Sequence, residues 1–176
     1  MSTIVQDRLE RRFELWDTNH DGVIDRSDWE AEARSIVRGF GERENTPRAA
    51  ALLSAYAHMW DYLAAQVGPH ATSMSLEQFK QVSHEHIISK GDAGFATVLR
   101  PTIQAIVNLC DTDGDGRVNQ SEFKSWLKAI GADSEISAAL FNRVDINRDG
   151  YLTVDELVRA VQDYHEGSLD VSLLGD

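Results

Sequence analysis

Asp111-Thr112-Asp113-Gly114-Asp115-Gly116-Arg117-Val118-Asn119-Gln120-Ser121-Glu122 carries an oxygen-bearing side chain at positions 1, 3, 5, 9 and 12 of a twelve-residue run, with glycine at position 6. The same spacing recurs in Asp17-Thr18-Asn19-His20-Asp21-Gly22-Val23-Ile24-Asp25-Arg26-Ser27-Asp28 and in Asp145-Ile146-Asn147-Arg148-Asp149-Gly150-Tyr151-Leu152-Thr153-Val154-Asp155-Glu156. At the five oxygen positions the three runs hold eleven carboxylates. Taking those eleven from the 29 acids of the chain leaves 18 against 17 basic residues, so the net charge of −12 belongs mainly to three short segments. Carboxylates crowded into one turn repel each other unless a cation sits among them.

The spacing suits calcium, which takes 6–8 hard oxygen ligands at about 2.3–2.6 Å. Alternate residues turning inward set the rhythm of positions 1, 3 and 5, and the bend at position 6 demands the positive φ that glycine reaches without strain. Position 7 offers only its backbone carbonyl, so its side chain varies freely: Val23, Arg117 and Tyr151. Position 12 closes the shell from the start of the next helix. Position 8 is apolar in all three runs (Ile24, Val118, Leu152), as expected if paired loops meet through a short β-bridge. Three matches to this EF-hand pattern in one chain are a specific signal. The expected ligands are Asp17, Asn19, Asp21, Val23, Asp25 and Asp28 in the first loop. In the second they are Asp111, Asp113, Asp115, Arg117 and Glu122, and in the third Asp145, Asn147, Asp149, Tyr151 and Glu156. The first loop departs at position 12, where Asp28 is one methylene shorter than glutamate. That favours lower coordination and competition from magnesium, which demands octahedral geometry; Asp25 at position 9 is placed to compensate.

Such loops work in pairs, so three predict a fourth. Residues 74–79 are in phase with 118–123, which puts Val67, Pro69, Ala71, Ser75 and Gln78 at the ligand positions of a loop over about 67–78. No carboxylate remains there, so this hand is expected to bind no ion while Met74 bridges to Ile24. Around the loops the apolar residues follow helical periodicity. Ile4, Val5, Leu9, Phe13 and Trp16 form one stripe, Thr46-Pro47 starts a long helix, and Ser75 with Gln78 forms a capping box. Gly91 and Gly94 mark the link between halves, and Pro101 is expected to start or kink the helix that reaches Cys110. The fold expected is all-α: four EF-hands in two paired lobes packed into one compact globule, with short β-bridges between paired loops. The first pair occupies 1–90 and the second 91–166. The tail 167–176 carries enough aliphatic side chains to dock on the body.

In this arrangement the chain resembles the calerythrin family, prokaryotic relatives of the sarcoplasmic calcium-binding proteins. The resemblance rests on 7–17 with Asp28, on Glu77-Gln78-Phe79, on Leu99-Arg100-Pro101 ahead of Cys110-Asp111, and on the ending from Leu169 to Gly175. It spans nearly the whole chain. It implies a globule holding three calcium ions at its first, third and fourth hands, with a buffering or transport role.

Composition narrows the function further. The negative charge argues against nucleic acid and against an anionic membrane surface. A single cysteine, Cys110, fits a reducing cytoplasm. The N-terminal residues show no signal-peptide pattern, Ser2 stands where myristoylation needs glycine, and no run of 18 apolar residues exists. No catalytic constellation accompanies the loops, so an enzyme is not expected. His84 and His86 lie two apart, which on a helix puts them on different faces, and Cys110 reads as a small buried apolar residue. A sensor exposes an adaptable, methionine-rich groove. Met59 and Met74 are the only methionines besides Met1, and the apolar positions are bulky and aromatic. The expectation is therefore a monomeric intracellular calcium buffer or transporter whose folding is coupled to its ions. The alternative is a calcium sensor that engages a target through an exposed apolar groove.

Overall fold

The side chains that close each loop also start the helix that follows it. In the computed structural model, which describes residues 1–175, Asp25, Ser75, Asn119 and Thr153 are N-caps. Each accepts a hydrogen bond from the backbone N–H three residues on, and the side chain there (Asp28, Gln78, Glu122, Glu156) accepts one from the cap's own N–H. These are four capping boxes, each satisfying two otherwise orphaned donors. Positions 9 and 12 of the loops thus have a purely local task as well. This explains why the carboxylate-free hand keeps a serine and a glutamine there.

The resulting elements are α1 (Thr3–Trp16), β1 (Val23–Asp25), α2 (Arg26–Gly39), α3 (Pro47–Val67), β2 (Ser73–Ser75), α4 (Leu76–His86), α5 (Gly91–Cys110), α6 (Gln120–Ala129), α7 (Ser137–Val144) and α8 (Val154–Glu166), with 3₁₀ turns at Ile88–Lys90 and Ser134–Ile136. Strands β1 and β2 pair antiparallel with Ile24 opposite Met74, and an isolated bridge joins Val118 to Leu152. Four helix-loop-helix units therefore stand in two pairs, and all four bridging side chains are fully buried.

The two pairs share one core. Helix α5 packs most extensively against α8 and α3, and α1 lies against α4 and α8, so each half supplies walls for the other. Trp16 stacks on Trp29 with centroids 4.0 Å apart, and Phe79 and Trp60 meet this pair edge-on at 5.6 and 5.8 Å. In the second half Phe123 meets Phe141 edge-on at 5.9 Å. The link between pairs is the 3₁₀ turn at Ile88–Lys90, and α5 begins at once with Gly91 at φ +55°. Gly94 lies inside α5 with its Cα against the Ile87 carbonyl, where a Cβ would collide.

Two sequence expectations change here. Of the two roles expected for Pro101, starting the helix is not the one it has: α5 runs from Gly91 through it to Cys110, buried along most of its length, so packing outweighs the one lost backbone hydrogen bond. Ile4 is 48 % exposed, because the buried face of α1 runs through Val5, Leu9, Phe13 and Trp16 and position 4 lies to one side of it.

After α8 the chain turns back through Gly167, in the left-handed region at φ +89°. Leu169, Leu173 and Leu174 are then buried, and the Trp126 indole donates to the Leu173 carbonyl at 2.8 Å. Asp176, the last residue assigned to the tail, lies outside the described residues.

Helices α2 and α6 cross so closely that Gly39 rests on the Ala129 backbone, where any Cβ would overlap the carbonyl group. This is the close approach that glycine permits. Gly39→Ala is expected to destabilise the protein by about 1–3 kcal/mol, the usual cost of overpacking a tight contact. Urea denaturation in calcium would show the drop; an unchanged midpoint would mean that the two helices separate freely.

Candidate metal centres

Each of the three acidic runs folds as a ring of backbone N–H groups around its own carboxylates. Asp111 accepts from the N–H of Gly114 and of Gly116, both at 2.9 Å, while Asp113 accepts from Asp115 and Asp115 from Arg117. Asp145, Asn147 and Asp149 repeat the pattern toward Gly150, Asp149 and Tyr151. Asp17, Asn19 and Asp21 repeat it toward Asp21, Gly22 and Val23. The left-handed backbone foreseen at position 6 is present at Gly22, Gly116 and Gly150. Position 4 is left-handed as well, at His20, Gly114 and Arg148. Sequence reasoning missed this: two of the three residues there are not glycine and carry no signal, and each holds a conformation costing about 1–2 kcal/mol.

The loops differ at their last position. Glu122 accepts from the N–H of Thr112 at 3.0 Å as well as from Asn119 at 2.9 Å. Glu156 likewise accepts from Ile146 at 2.8 Å and from Thr153 at 3.1 Å. Each glutamate thus spans from the end of its loop to position 2 and draws the ring shut. Asp28 accepts from Asp25 at 2.9 Å, but the Thr18 N–H donates instead to the Trp16 carbonyl. One methylene accounts for the difference.

The carboxylates follow suit. Oxygens of Asp111, Asp113, Asp115 and Glu122 lie within 4.8 Å of one another, as do those of Asp145, Asp149 and Glu156. Among the described residues these are the two such groups; the acids of 17–28 do not converge to that distance. Asp25, the proposed compensator, is turned toward helix α2, accepting from Ser27 Oγ at 2.6 Å and from the Asp28 N–H. The serine hydroxyl holds its pKa below the ordinary carboxylate value. Asp28 is shifted upward, chiefly by burial and further by the charges of Asp25, Asp21 and Asp17. At Asp111 burial acts upward but the N–H donors from Gly116, Gly114 and Asp115 outweigh it, and its pKa is lowered. At Asp113 the Asp115 N–H acts downward, but desolvation and the neighbouring carboxylates of Asp111 and Asp115 outweigh it, and its pKa is raised.

A cation fits this donor set. Asp145 is only 6 % exposed, and its Oδ1 is buried with no protein hydrogen-bond partner. A bare buried carboxylate oxygen is costly unless something positive meets it. The paired third and fourth loops are also joined at position 7, where the Arg117 guanidinium sits 3.7 Å over the Tyr151 ring. In the second hand Gly68 is extended, and the run from Val67 to Gln78 offers hydroxyl and amide groups but no acid at a ligand position. Cys110 is buried beside Asp111 and Glu122, and burial pushes its thiol up to about 12, far from any thiolate nucleophile.

Helix-loop-helix pairs joined by a β-bridge and closed by acidic oxygens define a calcium-binding protein of the EF-hand class. Residues 100–162 match the EF-hand domain pair family and residues 9–31 match the EF hand family. Calerythrin of Saccharopolyspora erythraea is 39% identical over 175 residues, 99% of either chain, and the protein belongs to the calerythrin family. Its fold superposes on a Streptomyces coelicolor calcium-binding protein described in terms of calcium-mediated regulation, with a TM-score of 0.71 and 27% identity over 92% of this chain and 97% of that one. Calcium-loaded apo-aequorin from Aequorea victoria shares the fold, with a TM-score of 0.74 and 19% identity over 93% and 91%. No helix among the described residues is long and apolar enough to cross a membrane.

Proposed function

We propose that the protein is a monomeric cytoplasmic calcium buffer or transporter that takes up three ions per chain and folds around them. The observation that carries this is the convergence of acidic oxygens at 111–122 and 145–156, together with the orphaned Asp145 Oδ1. The ligands are the sixteen residues named from the sequence. The third and fourth loops are the calcium-selective sites, since Glu122 and Glu156 can each present two oxygens. The first loop, closed by the shorter Asp28, is the weaker site and the one where magnesium competes. Residues 1–90 and 91–166 act as the two functional pairs, with the tail holding them together.

Buffering is favoured over sensing by where the apolar surface lies. Among the described residues the large apolar side chains left exposed are Met1, Ile4, Leu15, Tyr62, Ile136 and Ile146. They are scattered over several elements, as on ordinary monomers. The sensor reading draws support from the Streptomyces relative, whose description speaks of regulation. A sensor would gain dye-accessible apolar surface on adding calcium, whereas a buffer would lose it.

Calorimetric titration tests the stoichiometry. Three ions are expected for the natural chain and two for each of Asp28→Ala, Glu122→Gln and Glu156→Gln, with about 1 mM magnesium affecting the site lost in Asp28→Ala most. Unchanged stoichiometry in Glu122→Gln and Glu156→Gln would refute the assignment, and unchanged stoichiometry in Asp28→Ala alone would remove the first loop from it.

A further inference from the structure

Arg117 and Tyr151 occupy position 7 of the third and fourth loops, each one residue before the bridged pair Val118 and Leu152. In an antiparallel pairing that makes them diagonal neighbours, at a separation of about 7–8 Å that long and aromatic side chains can span. They do span it: the Arg117 guanidinium carbon lies 3.7 Å from the centre of the Tyr151 ring. The first pair of loops has no such couple, since Val23 and Ser73 stand at its position 7. The guanidinium has a second partner in its own loop. Its Nη2 is 3.6 Å from Asp115 Oδ2, while Asp115 Oδ1 accepts from the Arg117 N–H at 2.9 Å. Arg117 therefore stands between an acidic ligand of one loop and the aromatic ring of the other.

The two partners compete, and they respond differently to a loaded loop. While Asp115 is free, its negative charge pulls the guanidinium away from the ring. Once that charge is spent on a cation, the pull on Arg117 is gone. The attraction of the Tyr151 ring face remains, because it comes from the ring's own quadrupole. In the other direction, a guanidinium held on the ring leaves Asp115 open. The stack also restrains both position 7 residues, whose backbone carbonyls are ligands in the proposed sites. A contact that is stronger in the loaded state than in the empty one is what a coupling free energy between two sites requires.

We infer that Arg117 and Tyr151 form a coupling latch, through which loading either the third or the fourth loop raises the calcium affinity of the other. The inference rests on the reading of 111–122 and 145–156 as calcium sites. It makes Arg117 and Tyr151 positioning residues through their side chains, beyond the carbonyls they offer. The effect is reciprocal by linkage. A cation–π contact at a partly exposed site corresponds to a factor of about two to five in an equilibrium constant, which sets its size.

The test is calcium titration of the full chain carrying Asp28→Ala, which leaves these two loops to fill. The overall two-ion constant is measured in that chain, the third loop alone after adding Glu156→Gln, and the fourth alone after adding Glu122→Gln. The overall association constant divided by the product of the two single-loop constants is the coupling, so changes in intrinsic affinity cancel. A ratio above one is expected. Arg117→Leu and Tyr151→Leu should each lower it by about two- to fivefold, and both together no further than either alone. Tyr151→Phe, which keeps the ring, should retain it. By nuclear magnetic resonance the Arg117 δ protons should move upfield on adding calcium, under the ring current of Tyr151, and should not do so in Tyr151→Leu. A ratio at or below one, a ratio that both leucine variants leave unchanged, or no upfield movement would overturn the latch with the calcium sites still standing. Absence of calcium binding in the single-loop chains would remove the sites and the latch together.

Discussion

Stripping calcium from the protein is expected to lower its unfolding temperature by about 15–30 °C. An ion present at about 100 times its Kd adds roughly 2.7 kcal/mol when it binds only the folded state, so the three ions proposed would add about 8 kcal/mol. In a chain of this length 1 kcal/mol moves the midpoint by about 2–4 °C. The structure shows where the loss falls. Without ions, four carboxylates crowd the ring at 111–122, and Asp145 is left with a buried oxygen facing nothing. The apo chain is therefore expected to keep its helices, which the capping boxes and amphipathic stripes support locally, while the packing around the loops loosens. Far-ultraviolet dichroism should change little on chelation and near-ultraviolet dichroism from the four buried tryptophans should fade. Melts recorded with calcium and with a chelator decide the matter: midpoints within about 5 °C of each other would show that the ions contribute little to folding.

Much of this was legible in the amino-acid order because the loops are local objects. Twelve consecutive residues contain the ligands, the bend and the cap, so spacing alone carries the geometry. Even the carboxylate-free hand could be placed, because Met74 and Gln78 keep the phase of Val118 and Glu122 after the acids are gone. What escaped was whatever depends on distant chain segments or on several weak signals together. The left-handed backbone at His20 and Arg148 follows from ring closure, not from either residue's preference. Helix α5 runs through Pro101 because its buried side chains pack on α3 and α8, which periodicity does not reveal. The failure of the 17–28 acids to converge follows from a difference of one methylene at Asp28, foreseeable as a direction but not as a distance. Arg12 escaped altogether, although a charge three residues after Leu9 and four before Trp16, inside an apolar stripe, is an anomaly that deserved a partner.

That partner set makes Arg12→Ala the single substitution expected to damage the fold most, by about 3–5 kcal/mol, the usual consequence of breaking a buried ion pair from one side. Arg12 is 7 % exposed and bonds to Glu32 of α2, to Ser172 Oγ at 3.1 Å and to the carbonyl of Gly175. Glu32 also accepts from the Trp16 indole at 2.8 Å. One guanidinium therefore ties α1, α2 and the C-terminal segment together. Alanine would leave Glu32 charged and largely enclosed, with a C-terminal carbonyl unpaired. Two further consequences separate this role from simple loss of packing. The C-terminal segment should become open to chymotrypsin at Leu173 and Leu174, since past Asp170, where Arg143 and Arg8 still hold Ser168 and Asp170, the Trp126 indole and the segment's own aliphatic side chains would be left to hold it. The double variant Arg12→Met, Glu32→Leu should regain most of the stability, because removing both charges leaves no buried carboxylate behind. Trp16 adjoins Asp17 and Glu32 lies one helical turn beyond Asp28, so the network rests on both ends of the first loop. Calcium affinity at that loop should consequently fall in Arg12→Ala while the third and fourth sites keep theirs. Urea unfolding in saturating calcium, limited proteolysis and site-resolved titration check the three effects. A loss below about 1 kcal/mol with an uncut C-terminus would show that burial of Leu169, Leu173 and Leu174 holds the segment unaided, and that the arginine pair is neutral to the fold.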